Sequence, residues 1–297
     1  MRPLRLGTRG SLLARRQAEM AAEALRRAVP DLEIETVLVR TEGDRRAAEP
    51  LEAIGGQGVF VKDIEARLQA GEIDLAVHSL KDMPPDTPAG LVVGAYLPRD
   101  DARDAIAGRD GLDLARLPAG ARIGSDSRRR AVQLLAIRPD LRIESIRGNV
   151  DTRLRKVDAG EYDGAVLAVA GLQRLGLLAR ATDVFPPEAV LPAAGQGTIA
   201  IECREADSEV LGLLRAVDDA ATRTAALAER AFLRALGAGC RLPIGAYAVV
   251  ADGEVRLAAM LADDAGGVHR GEARGPASSA ETVGRSLALR LRTEAGA

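Results

Sequence analysis

The 297-residue chain has no Trp, three Phe and three Tyr, so aromatic residues make up 2% of it. Its cores must therefore be filled by aliphatic side chains and Ala. It also lacks both the stacking aromatics and the basic excess of a general nucleic-acid binder, since its net charge is −2. No nucleic-acid partner is expected. The two cysteines, Cys203 and Cys240, cannot build a disulfide framework. The only histidines are His78 and His269, and no Cys/His cluster has metal-site spacing, so no metal is expected. Long hydrophobic runs are missing too. Apolar stretches such as Gly164 to Leu172 fall far short of the ~18 residues of a membrane span. Arg2, Arg5, Arg9, Arg15 and Arg16 break up the start, where a secretory signal would need an apolar stretch. A soluble, cytoplasmic protein without a membrane partner is the expectation. What remains is ordinary globular composition, 47% hydrophobic and 28% charged, with length for roughly two domains.

The chain repeats itself. Leu4-Arg-Leu-Gly-Thr8 is similar to Ala121-Arg-Ile-Gly-Ser125, and Pro30-Asp-Leu-Glu-Ile-Glu-Thr36 to Pro139-Asp-Leu-Arg-Ile-Glu-Ser145. Gly71-Glu-Ile-Asp-Leu-Ala-Val77 is similar to Gly160-Glu-Tyr-Asp-Gly-Ala-Val166. The shared order points to two related domains. Each copy reads strand, helix, strand, helix, strand, which predicts parallel sheets with helical crossovers. In the first copy the strands are near 3–7, 33–39 and 73–77 and the helices near 11–28 and 60–70, with Leu12, Ala18, Ala22 and Leu25 on the apolar face of the first helix. In the second, strands fall near 121–124, 141–145 and 164–168, and helices near 128–137 and 150–159. Ligands of such sheets bind where strand C-termini meet helix N-termini, and two facing domains would form a cleft. Beyond residue 218 a long helical pattern leads to a loop, Leu236-Gly-Ala-Gly-Cys-Arg-Leu-Pro243. Antiparallel strands at 244–251 and 254–262, joined by Asp252-Gly253, and a helix near 279–294 complete a smaller α+β domain. The aperiodic segment 41–58 reads as a long functional or mobile loop.

Three constellations could carry chemistry. Between Arg122 and Lys156 there are ten cations against four acids, Asp126, Asp140, Glu144 and Asp151. A solvated helix face would account for the count, but not for its placement. Arg129 and Arg130 occupy the first turn of a helix directly after Gly124-Ser-Asp-Ser127, where the helix dipole disfavours cations unless an anion joins them. Arg147 and Arg153 flank the next helix start, and Thr8-Arg9-Gly10-Ser11 repeats the design in the first copy. Backbone N–H groups, hydroxyls and guanidinium forks together suit carboxylates or phosphates. The second constellation is His78-Ser-Leu-Lys-Asp-Met-Pro84 at a strand end. It is either a turn with a surface ion pair, or a site in which Asp82 is an acid, base or cation stabiliser and Lys81 an anion ligand. The third is Cys240, in a loop of small residues beside Arg241, which favours a thiolate, although most unpaired cysteines are inert core. Cys203 alternates with Ile199 and Ile201 and reads as core. Gly195-Gln-Gly-Thr-Ile-Ala200 fits a dinucleotide pattern but precedes a strand-like run, so it lacks the required context.

Together these segments resemble the porphobilinogen deaminase (hydroxymethylbilane synthase) family over nearly the whole chain. The matching blocks are Gly7-Thr-Arg-Gly-Ser11, Gly55 to Lys62, Ala76 to Pro84, Arg147 to Lys156, Leu191 to Gly197, Glu202-Cys-Arg204 and Gly239 to Gly245. The resemblance implies two similar α/β domains of periplasmic-binding-protein type flanking a cleft, and a small C-terminal α+β domain. Domain 1 would comprise residues 1–98 and 198–216, domain 2 residues 99–197, and domain 3 residues 217–297. The implied activity is stepwise condensation of four porphobilinogen molecules with loss of ammonia to give hydroxymethylbilane, in tetrapyrrole biosynthesis. A covalent dipyrromethane cofactor would prime it, and a monomer is expected. By motif, Cys240 would hold the cofactor through a thioether and Asp82 would stabilise positive charge on the pyrroles. Ser79, Lys81, Ser125, Ser127, Arg129 and Arg130 would bind the cofactor's carboxylates. Arg9, Ser11, Arg147 and Arg153 would bind those of the incoming substrate. Loss of ammonia leaves an electrophilic azafulvene, whose cationic nitrogen an ionised carboxylate would stabilise.

The chain departs from the family pattern in places. Asp126 stands where serine is common, Arg128 where an apolar residue is, Gln57 replaces a frequent lysine, Leu12 a proline, and Gly237-Ala238 a Glu-Gly pair. An Asp126 turned toward the ligand would repel its carboxylates, by about 4 kcal/mol at 4 Å and an effective dielectric of about 20. It is therefore expected to point away and to pair with Arg128. The competing class is a non-enzymatic two-lobed anion-binding protein, which would need the arginines but neither Asp82 nor Cys240.

Overall fold

A computed structural model describes residues 2–46, 58–237, 243–263 and 266–296. Contacts divide the chain into two compact units, Met1–Asp100 with Thr198–Thr224, and Asp101–Gly197 with Ala225–Ala297.

The first unit runs β1 (Leu4–Arg9), α1 (Leu12–Ala28), β2 (Ile34–Val39), the single turn α2 (Glu42–Arg45), α3 (Lys62–Gln69), β3 (Leu75–Ser79) and β4 (Leu91–Tyr96). The second contains β5 (Asp104–Gly108), β6 (Arg122–Gly124), α4 (Arg128–Ile137), β7 (Arg142–Glu144), α5 (Val150–Asp158), β8 (Gly164–Ala168), α6 (Val169–Arg174) and β9 (Asp183–Val184). The chain then returns to the first unit with β10 (Ile199–Arg204) and α7 (Ser208–Arg215). Next come α8 (Ala220–Ala235), β11 (Ile244–Ala251), β12 (Glu254–Ala262), β13 (Val268–Pro276) and α9 (Ala280–Glu294).

The two five-stranded sheets share one wiring, β2-β1-β3-β10-β4 and β7-β6-β8-β5-β9. Their first three strands are parallel and coincide with the three sequence repeats. The expectation of parallel sheets holds for the strands of the repeat and needs correction for one further strand in each sheet. Each sheet has one antiparallel inner strand, β10 against β3 and β4, and β5 against β8 and β9. The reason is topological, because these strands lie outside the repeat. Their direction has a consequence for the sites: the start of β10 lies beside Ser79, and Asp104 at the start of β5 lies beside Ala168.

The matching glycines of the repeat have a packing cause. A Cβ on Gly7 would run into Ile73 beneath β1, and one on Gly124 would lie 2.7–2.9 Å from three atoms of Ile146 beneath β6. In both sheets a large aliphatic side chain closes over the strand at that point; around Gly124 the body of Ile146 leaves no room for a Cβ, whereas at Gly7 the obstacle is the tip of Ile73, which can shift.

The cores are aliphatic, as the composition requires. Leu6, Leu25, Leu75, Ile199 and Ile201 centre the first sheet, and Ile106, Ile123, Leu134 and Val166 the second. Leu12, expected on the apolar face of its helix, is exposed; α1 instead buries Gln17, Ala18, Ala21, Ala22 and Leu25. The antiparallel sheet β11-β12-β13 packs Leu257, Ala259 and Leu261 against Phe232 of α8 and Leu287 and Leu291 of α9. Its hairpin turns at Asp252 and Gly253, both with positive φ, as that dipeptide predicts. The third strand, β13, was not foreseen, since its alternating residues include Arg270, Glu272 and Arg274 on an exposed face. No helix among the described residues is long and apolar enough to cross a membrane.

Candidate functional site

In the first unit, β1 and β3 are parallel neighbours, so their C-terminal ends lie side by side. Arg9 is the last residue of β1, and Ser11 caps α1 by accepting the Ala14 N–H at 3.2 Å. At the end of β3, the Ser79 hydroxyl accepts from Gln17 Nε2 at 2.8 Å. Lys81 and Asp82 follow in a single 3₁₀ turn, Leu80–Asp82, both half-buried. Among the described residues Asp82 makes no ion pair.

Arg9 is already held by a carboxylate. Its Nη2 lies 2.5 Å from Asp44 Oδ1, and its guanidinium carbon 3.9 Å from the Phe60 ring centroid. Asp44 also closes a capping box with Thr41 at the start of α2. Burial raises the Asp44 pKa, but the hydrogen bonds from Arg9 and Thr41 overcome this and hold it below the usual carboxylate range.

Beneath Ser79 lies a buried acidic group. His78 Nε2 is 3.2 Å from Glu202 Oε2, while Glu202 Oε1 and Glu65 Oε1 are buried without a hydrogen-bond partner. Burial, then the Glu202 charge, push the Glu65 carboxyl from 4.5 up to about 7. A carboxyl with a raised folded-state pKa contributes fully at low pH and loses stability as pH rises from its unfolded value to its folded one. Glu65→Gln should remove that slope. Urea unfolding at pH 8 should find the variant more stable than the parent by up to about 3 kcal/mol, with a smaller gain at pH 5. Equal differences at the two pH values would contradict this reading.

In the second unit, Ser125 follows β6 and Ser127 caps α4. The Ser127 N–H donates to Ser125 Oγ at 3.2 Å, and the Arg130 N–H to Ser127 Oγ at 3.4 Å. These hydroxyls accept from backbone, so their own O–H groups remain donors, the polarity that a carboxylate ligand requires. Arg129 and Arg130 are 6% and 7% exposed and share one anion. Arg129 Nη1 is 2.7 Å from Asp104 Oδ2, and Arg130 Nη2 is 2.6 Å from Asp104 Oδ1. Arg129 Nη1 also donates to the Leu191 carbonyl at 2.5 Å, and Arg130 Nη1 to that of Val166 at 2.9 Å. Full burial raises the Asp104 pKa, and the two guanidinium charges reverse this and hold it well below the usual range. The anion that the helix start demanded is thus supplied first by the chain itself, and the trio keeps one net positive charge.

Arg147 is half-buried ahead of α5, and Arg153 folds back over the start of that helix, its Nε donating to the Gly148 carbonyl at 2.8 Å. The expectation for Asp126 needs correction, because it is not paired with Arg128. Its Oδ1 accepts from Ser145 Oγ at 2.5 Å, and its Oδ2 lies 3.6 Å from Arg153 Nη2. The pairing of β6 with β7 is the cause, since it carries the loop after Gly124 alongside the loop after Glu144. Cross-strand neighbours of this kind are invisible when a loop is read by itself.

Cys240, assigned to the cofactor in the sequence, lies outside the described residues, as does most of segment 41–58, including Gln57. Cys203 is fully buried on β10, where burial pushes its thiol up to about 11. The Gly195–Gly197 segment leads into β10 and its Gly195 N–H donates to Glu229 Oε2 at 2.6 Å, a structural anchor. Among the described residues no group of three His, Cys, Asp or Glu side chains could hold a metal. Sequence reasoning missed Asp104, Asp44, Phe60, Gln17 and Ser145. Two of these left a signal. Asp104 is a charge heading the apolar run Ala105–Gly108, and Thr41-Glu-Gly-Asp44 has the spacing of a capping box.

The geometry defines a class of protein: an α/β protein in each of whose units hydroxyl and guanidinium side chains stand at strand C-termini and helix N-termini, with the carboxylate of Asp82 just after β3 in the first unit. Residues 4–212 match the family description "Porphobilinogen deaminase, dipyromethane cofactor binding domain", and residues 223–293 match "Porphobilinogen deaminase, C-terminal domain". The chain is 47% identical over 288 residues to the porphobilinogen deaminase of Roseiflexus castenholzii, covering 97% of this chain and 95% of that one. It is 47% identical over 294 residues to that of Sorangium cellulosum, covering 97% and 98%. Among solved structures it aligns with a putative lipoprotein from Ruminococcus gnavus at a TM-score of 0.43 and 14% identity, over 73% of this chain and 91% of that one. The chain belongs to the porphobilinogen deaminase family.

Proposed function

We propose that the protein joins four porphobilinogen molecules head to tail, releasing ammonia at each step, to give hydroxymethylbilane for tetrapyrrole biosynthesis. A covalent dipyrromethane would prime the reaction. The observation that carries this reading is the donor set: Arg9, Ser11, Ser79 and Lys81 on one unit, and Ser125, Ser127, Arg129, Arg130, Arg147 and Arg153 on the other, with Asp82 beside Lys81. Hydroxyls and guanidinium groups match a cofactor and substrate that carry acetate and propionate side chains, so the residues fit the group. Within the proposal, residues 1–98 with 198–216 form domain 1, residues 99–197 domain 2, and residues 217–297 domain 3. The protein is a cytoplasmic, monomeric transferase without nucleic-acid or membrane partners.

Each side chain has a role in this reading. Cys240 holds the cofactor by a thioether. Ser79, Lys81, Ser125 and Ser127 bind its carboxylates, as do Arg129 and Arg130 with the single positive charge that Asp104 leaves them. A bound dipyrromethane would supply the pyrrole carbon to which the first substrate is joined. Arg9, Ser11, Arg147 and Arg153 fix the acetate and propionate of the incoming ring, which sets the distance between reacting carbons. As ammonia departs from the substrate, positive charge spreads onto its pyrrole nitrogen, and the Asp82 carboxylate stabilises that charge. Arg9 must exchange or share Asp44 to take its ligand.

Turnover tests the proposal. Incubation with porphobilinogen should release one ammonia for each porphobilinogen consumed and yield hydroxymethylbilane. Binding of porphobilinogen without ammonia release would favour the non-enzymatic anion-binding alternative.

A further inference from the structure

Asp126 stands beside Arg153, one of the residues read above as a ligand of the substrate's carboxylates. Its two oxygens are in unequal positions. Oδ1 accepts the Ser145 hydroxyl at 2.5 Å, while Oδ2 is buried, makes no hydrogen bond, and lies 3.6 Å from Arg153 Nη2. That separation is within ion-pair range but beyond a hydrogen bond, so Oδ2 has lost its hydration without a direct donor in return. Neither neighbour can easily move to close the gap. Arg153 is fixed at its Nε by the Gly148 carbonyl at 2.8 Å, and the Ser145 backbone carbonyl accepts from Tyr162 Oη at 2.6 Å. Asp126 and Arg153 are only about one-fifth exposed, so solvent screens their interaction incompletely.

We infer that Asp126 is an affinity- and specificity-determining residue, a tethered carboxylate that holds the Arg153 guanidinium in place and opposes the substrate carboxylate that Arg153 receives. The inference rests on the reading of Arg153 given under Proposed function. The opposition follows from charge. A ligand carboxylate brought to Arg153 meets a second carboxylate already within 3.6 Å of the same nitrogen. A neutral amide at the same place meets no such repulsion. Asp126 therefore weakens binding of the acid and narrows the preference for acid over amide. Asp126 acts through Arg153, which in this reading binds a substrate carboxylate and takes no part in the bond changes, so its effect falls on binding more than on the chemical step.

The test uses the full-length protein and a non-reacting probe, a porphobilinogen analogue with methyl in place of the aminomethyl group, together with its bis-amide. Asp126→Asn keeps an acceptor for Ser145 and removes the charge; Asp126→Ser removes the reach as well and serves if the first variant folds poorly. Calorimetry should give a Kd for the diacid analogue at least threefold lower in the variant, with the bis-amide changed by less. KM for porphobilinogen should fall in parallel, with kcat moving less than KM. A Kd for the diacid that rises, stays level or falls by less than threefold would overturn the inference. Failure of the underlying reading is separately visible: a parent protein that carries no covalent cofactor and releases no ammonia defeats it. The analogue titration still decides the role of Asp126, because it needs Arg153 and no chemistry.

Discussion

Cys240→Ser should yield a protein with the bare mass of its chain and no detectable turnover of porphobilinogen, whereas Cys203→Ala should keep both adduct and activity. The contrast follows from the two sulfurs. Cys203 is fully buried near the end of the inner strand β10, and burial, with Asp207 and Glu202 nearby, pushes its thiol up to about 11. At pH 7.5 a thiol of that kind is ionised in only about one molecule in several thousand, and the thiolate is the nucleophile. Cys240 follows Gly239 and precedes Arg241, small on one side and cationic on the other, which favours both approach and ionisation. In the proposed reaction the thioether would be the covalent link to the growing chain, so its loss should remove activity altogether. Alanine at position 203 avoids a buried hydroxyl without a partner, which would cost about 1–3 kcal/mol and confuse stability with chemistry. An adduct retained in the Cys240 variant would show that another residue carries the cofactor.

Asp82→Asn should retain the adduct and lose at least about 100-fold in kcat, the usual scale for removing one preorganised electrostatic contact to a developing charge. The substitution keeps shape and hydrogen-bonding capacity and deletes only the charge. Asp82 sits in a short turn at the end of β3, half-buried, and among the described residues no ion pair engages it. Its charge is therefore available to a ligand, unlike that of Asp104, which two arginines consume. The adduct should persist because attachment is assigned to Cys240. Measurement of single-turnover ammonia release alongside intact mass checks both halves. Near-normal turnover would make the carboxylate structural, and loss of the adduct would place Asp82 in cofactor assembly instead.

Much of the fold was legible because the parts that repeat are the parts with strong local signals. The three parallel strands of each sheet, the helices between them and the Asp252-Gly253 turn all follow from periodicity and turn chemistry. What escaped was set by neighbours remote in sequence. β5 and β10 run against their sheets because of how the chain passes from one unit to the other, and no local pattern encodes that direction. The same limit applies to the site. Arg129 and Arg130 were identifiable as cations at an unusual place, but Asp104 reaches them only through the antiparallel β5. Asp126 was paired wrongly, because Ser145 and Arg153 approach it from the adjacent loop and helix.

The most direct test of the account is the intact mass of the parent protein after exposure to porphobilinogen and removal of unbound material. The account predicts a chain heavier by two porphobilinogen units less two ammonia, with a colour reaction to Ehrlich's reagent that stays with the protein on denaturation. A chain of bare mass, colourless with the reagent after the same treatment, would contradict it.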